Sequence, residues 1–141
     1  MLDDVEELAA TKVRMSDMAT LASRPTFQKG LAHHVAAWRA ARLLVVDAFS
    51  AAEAAVTAGS DLTPRMRADV RVAAVYATDV ARAAAEWAHL AAGTTAIREG
   101  SRLERAFRDM YTGTQHAFIS DKTYIDSAQI YLGVIEDQPG L

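Results

Sequence analysis

One stretch concentrates side chains that could move protons. Residues 101–116 read Ser-Arg-Leu-Glu-Arg-Ala-Phe-Arg-Asp-Met-Tyr-Thr-Gly-Thr-Gln-His. Arg105, Asp109, Thr112 and His116 follow one another at spacings of four, three and four. On a helix that runs to His116 they would form a single polar stripe. Imidazole titrates near neutrality, so a histidine closing such a stripe can give or take a proton. The position also suits a surface histidine at a helix C-terminus, where the macrodipole favours it, and spacing alone favours that role. The acid/base role stays open beside it.

Other chemistry-bearing groups are sparse. Lys12 and Arg14 are basic residues that can meet an anion or simply be solvated. Gly93-Thr94-Thr95 is a small-residue turn through which a phosphate or a ring can approach the backbone, though one glycine turn is weak evidence. His33 and His34 are adjacent, so a regular helix points them to different faces and they cannot share a metal; they read as structural. With no cysteine, disulfides, thiolate metal sites and a cysteine nucleophile are excluded, and no metal site is expected.

The elements that must position these groups read as helices. Ser101 with Glu104 forms a capping-box signature, and Leu103, Phe107 and Met110 fall on one face behind it. Upstream, residues 3–12 form a short helix with Val5, Leu8 and Ala9 on its apolar side. Residues 13–25 are irregular, with Met15, Met18 and Leu21 expected against the core. Residues 26–58 form a long helix with a seam of Phe27, Leu31, Val35, Trp38, Val45, Phe49, Ala52 and Val56. At Leu43-Leu44-Val45-Val46 it is apolar nearly all round, as in a central helix or one covered by a second subunit.

Thr63-Pro64 is a cap followed by proline at the first helical position, so a second long helix starts there and runs to about residue 92. Its seam is Met66, Val70, Ala73, Ala77, Val80, Ala84 and Trp87, and the short connector makes the two long helices antiparallel neighbours. Gly93 suits a left-handed C-cap. Ser120-Asp121 caps a last helix over residues 122–132, followed by a loose acidic tail from about residue 134. No strand pattern or repeat is visible. The expected fold is all-α: a single antiparallel helical bundle over residues 1–141, built on two long helices.

Composition narrows the function classes. A net charge of −3 gives no electrostatic case for nucleic acid. No apolar run spans a bilayer, and the first residues are acidic where a signal peptide would be basic, so a cytoplasmic protein is expected.

The chain resembles the C-terminal helical domain of the acyl-CoA dehydrogenase fold, in the branch shared with two-component, reduced-flavin-dependent monooxygenases. The resemblance rests on Leu2-Asp3-Asp4-Val5-Glu6-Glu7-Leu8-Ala9, on Arg24-Pro25, and on Ala91-Ala92-Gly93-Thr94-Thr95-Ala96-Ile97. Its most specific part is Leu103-Glu104-Arg105-Ala106-Phe107-Arg108-Asp109 with Gln115-His116. It implies that His116 faces flavin and substrate as an acid/base. It also implies that Gly93, Thr94 and Thr95 approach the flavin (FMN or FAD) from a neighbouring subunit, and that Arg14 lies near a phosphate contact. Acyl-CoA dehydrogenases often carry a catalytic Glu-Gly-Thr here; residues 111–116 have no glutamate, which argues against acyl-CoA oxidation.

The resemblance further implies a homo-oligomer, dimer or tetramer, acting on a small molecule. Full-length members carry two more domains before this bundle, and most of the flavin site lies there. Three readings fit: an excised domain or half of a split enzyme completed by a second chain; a flavin-free bundle reused for redox-neutral chemistry such as cyclisation; or an oligomerisation module. In all three, flavin is not expected to be retained by this chain alone.

Overall fold

In the computed structural model the described residues are 1–14, 18–138 and 140, Arg14 by its backbone alone. Among the described residues there are five α-helices: α1 (Leu2–Thr11), α2 (Pro25–Thr57), α3 (Pro64–Ala92), α4 (Arg102–Gly113) and α5 (Asp121–Tyr131). None of them is long and apolar enough to cross a membrane, among the described residues. The chain divides into two compact units, Met1–Trp38 with Val80–Thr114, and Arg39–Asp79 with Gln115–Leu141. Each long helix contributes one part to each unit.

In the first unit, α1, the start of α2, the end of α3 and α4 enclose a core of Val5, Ala9, Leu21, Phe27, Ala88, Ala92, Ala96 and Leu103. Half of these are alanines, and short side chains let helices come close. Gly30 of α2 takes this furthest: a Cβ there would lie 2.3 Å from Trp87 Nε1 and 2.6 Å from Trp87 Cε2. The Trp87 ring stands 5.4 Å from Phe27 and 5.0 Å from His34. The start of α2 thus meets the end of α3, as antiparallel neighbours must.

In the second unit Ala41, Ala68, Ala73 and Val75 are buried, and α5 is tied to α3 by two phenols. The Tyr124 hydroxyl donates to Asp79 Oδ2 at 2.9 Å, and the Tyr131 hydroxyl to Asp69 Oδ1 at 2.7 Å. The Arg65 guanidinium lies 4.0 Å over the Tyr131 ring. At the start of α3 the Thr63 hydroxyl accepts from the Met66 N–H at 3.2 Å, which is the capping expected of Thr63-Pro64.

Several expectations need correction. Residues 13–25 hold a minimal antiparallel ladder, β1 (Val13–Arg14) with β2 (Ala19–Thr20). Strands of two residues are too short to show an alternating pattern. Leu21 is buried as expected, but Met18 is 84% exposed at φ +50°, and Met15 lies outside the described residues. On α2, Ala41 is buried whereas Trp38, Phe49 and Val56 are exposed, and Leu43 is 69% exposed. Phe27 at the start of the seam is buried as expected; farther along, close approach at Ala41 leaves the large apolar side chains outside.

Ser101 does cap α4, but its side chain makes no capping bond, and Glu104 pairs forward with Arg108 at 3.3 Å. Helix α4 also stops at Gly113, three residues before His116. The Thr114 hydroxyl donates to the Tyr111 carbonyl at 2.7 Å, occupying an acceptor at the helix end. His116 therefore does not extend the Arg105–Asp109–Thr112 stripe.

Two stability outcomes follow from these contacts. Alanine favours a helix over glycine by up to about 1 kcal/mol. Gly30→Ala should nevertheless destabilise the protein, by about 1–3 kcal/mol for overpacking against Trp87, seen as a lower urea midpoint at unchanged m-value. Burial first, then the bond to Asp69, pushes Tyr131 up to about 12. An unfolded phenol ionises near about 10, so above that pH the folded state binds more protons and stability falls as pH rises. Tyr131→Phe should flatten that alkaline loss, read from urea midpoints between about pH 8 and 11.

Candidate functional site

His116 sits in the loop between α4 and α5, in the second unit, and is exposed. The loop is built locally. The His116 carbonyl accepts from the Ile119 N–H at 2.8 Å, and His116 Nδ1 accepts from the Phe118 N–H at 3.3 Å. Phe118 anchors the segment. Its carbonyl accepts from the Thr123 hydroxyl at 3.1 Å, and its ring lies 4.1 Å beneath the Arg71 guanidinium. The His116 and Phe118 rings are 5.5 Å apart.

The bond to Nδ1 has a chemical consequence. In neutral imidazole one nitrogen accepts and the other carries the proton. With Nδ1 accepting, the proton lies on Nε2, so the outward edge of His116 is a hydrogen-bond donor. Below the loop stands the Tyr124–Asp79 pair. Burial and then the carboxylate of Asp79 push the Tyr124 phenol far up, so it keeps its proton at any physiological pH. Tyr124 is thus a fixed donor to Asp79, holding α5 and its preceding loop against α3.

The glycine turn lies in the first unit. Gly93 has φ +55° and opens a 3-10 turn, Gly93–Thr95. A Cβ on Gly93 would meet nothing within 4 Å, so the backbone there is open to approach. Thr94 is exposed. The Thr95 hydroxyl accepts from Lys12 Nζ at 2.6 Å, across 83 residues of sequence. Thr95 also lines a cleft of about 370 Å³ with Asp4, Glu7, Ser101 and Arg102, where Arg102 pairs with Asp4 at 3.1 Å. The Arg14 side chain lies outside the described residues; its backbone pairs with Ala19 in the ladder.

Two groups of expected site residues are therefore placed separately, His116 in one unit and Gly93, Thr94 and Thr95 in the other. Among the described residues no cluster of three or more His, Asp or Glu could hold a metal ion. Arg71, Phe118, Asp79 and Tyr124 were missed by sequence reading, because their partnerships join segments about 45 residues apart. Lys12 was visible as a basic residue; its partner was not.

Comparison with known proteins identifies the family. The family profile described as acyl-CoA dehydrogenase, C-terminal domain, matches residues 1–121. An indole-3-acetate monooxygenase of Pseudomonas putida is 30% identical over 94% of this chain and 34% of its own length. One from Acinetobacter baumannii is 27% identical over 99% of the chain and 36% of its own length. The chain thus spans about a third of these relatives. Among solved structures, XiaF from Streptomyces sp., in complex with FADH2 and glycerol, has a TM-score of 0.90 at 22% identity, over 99% of this chain and 36% of that one. The HsaA monooxygenase from M. tuberculosis has a TM-score of 0.83 at 22% identity, over 97% and 35%. These two likenesses establish the fold. With the profile matched from α1 to the start of α5, the chain belongs to the acyl-CoA dehydrogenase C-terminal-domain family.

Proposed function

We propose that this chain serves as the C-terminal bundle of a flavin-dependent monooxygenase acting on a small aromatic molecule, with His116 as its acid/base residue. The observation that carries the proposal is the His116 loop in a bundle similar along its length to indole-3-acetate monooxygenase. In that role the flavin, when bound, supplies the oxygen chemistry, and the chain supplies position and protons. His116 presents Nε2–H outward, as the Phe118 N–H on Nδ1 requires, and acts first as donor. Phe118, held by Arg71 and Thr123, keeps the imidazole edge facing one way. The open backbone at Gly93 suits the approach of a flat ring or a phosphate, and Lys12 beside Thr95 offers a cation for an anionic group. Thr94 and the Arg14 side chain belong to the same proposed contact by family resemblance.

Assembly is part of the proposal. Leu43, Leu44 and Val46 of α2 are exposed in succession, a surface that suits burial by another copy of the chain. Homo-oligomerisation, with a further chain or segment completing the flavin site, accounts for it.

Three measurements test this reading. His116→Ala should leave the fold intact, since the side chain is exposed in the α4–α5 loop and surface substitutions usually change stability by no more than about 0.5 kcal/mol. In an assembly completed by the remaining domains and fed reduced flavin, the same change should slow turnover roughly 10²-fold. A rate indifferent to the substitution would refute the acid/base role. Flavin binding to the 141-residue chain alone should be weaker than about 1 μM by equilibrium dialysis. Leu43→Glu should convert an oligomer to monomers by light scattering; a wild-type monomer at micromolar concentration would contradict the assembly.

A further inference from the structure

A second cavity lies in the second unit and shares Arg71 with the support of the His116 loop. It is a cleft of about 630 Å³, within the usual range for small-molecule pockets of about 300–1,000 Å³. Phe49 and Val56 of α2 line it with Leu62 and Val70, and its charged groups are Arg67, Arg71 and Glu53. Arg67 and Arg71 are four residues apart on α3, so their side chains emerge on the same face.

Both arginines are engaged by the chain's own C-terminal segment. Arg67 Nη1 donates to the Leu62 carbonyl at 2.9 Å, and Nη2 pairs with the Asp137 carboxylate. Arg71 Nη2 donates to the Gly140 carbonyl. The Arg71 Nε–H is buried and meets no acceptor among the described residues. A buried donor left unmade is costly, and it marks a place where an acceptor is wanted. The charges point the same way. Arg67 pairs with Asp137, and Glu53 lines the cleft with both arginines, a balanced set. Move Asp137 away and one positive charge remains beside an apolar trough.

We propose that this cleft binds an amphipathic monocarboxylate, with Asp137 as its internal placeholder. The alkyl chain lies along Phe49, Val56, Leu62 and Val70. The carboxylate replaces that of Asp137 on Arg67 and accepts from Arg71 Nε. The binding displaces Asp137 into water, so the tail competes with the ligand.

Isothermal titration of the 141-residue chain with decanoate, and with decanol as the uncharged counterpart, tests this. Decanoate should bind at least roughly tenfold more tightly than decanol, the scale of one charge-assisted hydrogen bond. Asp137→Asn removes the competitor and should tighten decanoate binding by roughly fivefold or more. Arg67→Met should weaken it by roughly tenfold. Equal affinity for decanoate and decanol, or no gain in Asp137→Asn, would overturn the proposal. So would the absence of decanoate binding to Asp137→Asn at millimolar concentration. If Arg67→Met fails to fold by circular dichroism, the decanol and Asp137→Asn comparisons decide alone.

Discussion

Trp87 occupies the space where a side chain on Gly30 would be, and the first unit depends on that trade. A glycine inside a long helix is a local cost, because the unfolded chain loses more freedom there than with any other residue. Here it admits the Nε1 edge of an indole, and the ring then packs beside Phe27 and His34. The alanines of α3 extend the same logic. Ala84, Ala85, Ala88 and Ala92 are buried although each brings only a methyl group, so packing comes from backbone proximity more than from side-chain bulk.

The same constraint explains what the sequence revealed. Helix limits were legible because their signals are local. Thr63-Pro64 starts α3 where it should, and α1 and α5 each lie within one residue of the expected bounds. Which face of α2 would be covered was not legible. Hydrophobicity favours Trp38 and Phe49 as contacts, whereas helix proximity favours Ala41, and only the latter is buried. A seam read by size fails when neighbouring helices touch through their smallest residues.

The site was half visible. His116 stands out by residue type, and the turn at Gly93 by its small residues. The helix length that would place His116 on the Arg105–Asp109 stripe was not legible, because α4 ends at Gly113 with the Thr114 hydroxyl turned back onto the Tyr111 carbonyl. Threonine is an ordinary helix-surface residue in many contexts, so its spacing carries no stop signal of its own. The groups that fix the His116 loop, Arg71 through Phe118 and Asp79 through Tyr124, come from α3. Side chains brought together over such separations leave no periodic trace.

The two units are interleaved along the chain, and that has a consequence for synthesis. The first unit needs residues 80–114 to complete what residues 1–38 begin, and the second needs the segment after Gln115 to complete residues 39–79. A nascent chain emerging from the ribosome therefore closes neither unit until Thr114 is free of the exit tunnel. Until then the faces of α3 that α4 and α5 cover stay in water. Chains in that state are the ones most exposed to aggregation. Slowing translation before the α4 codons would lengthen that interval.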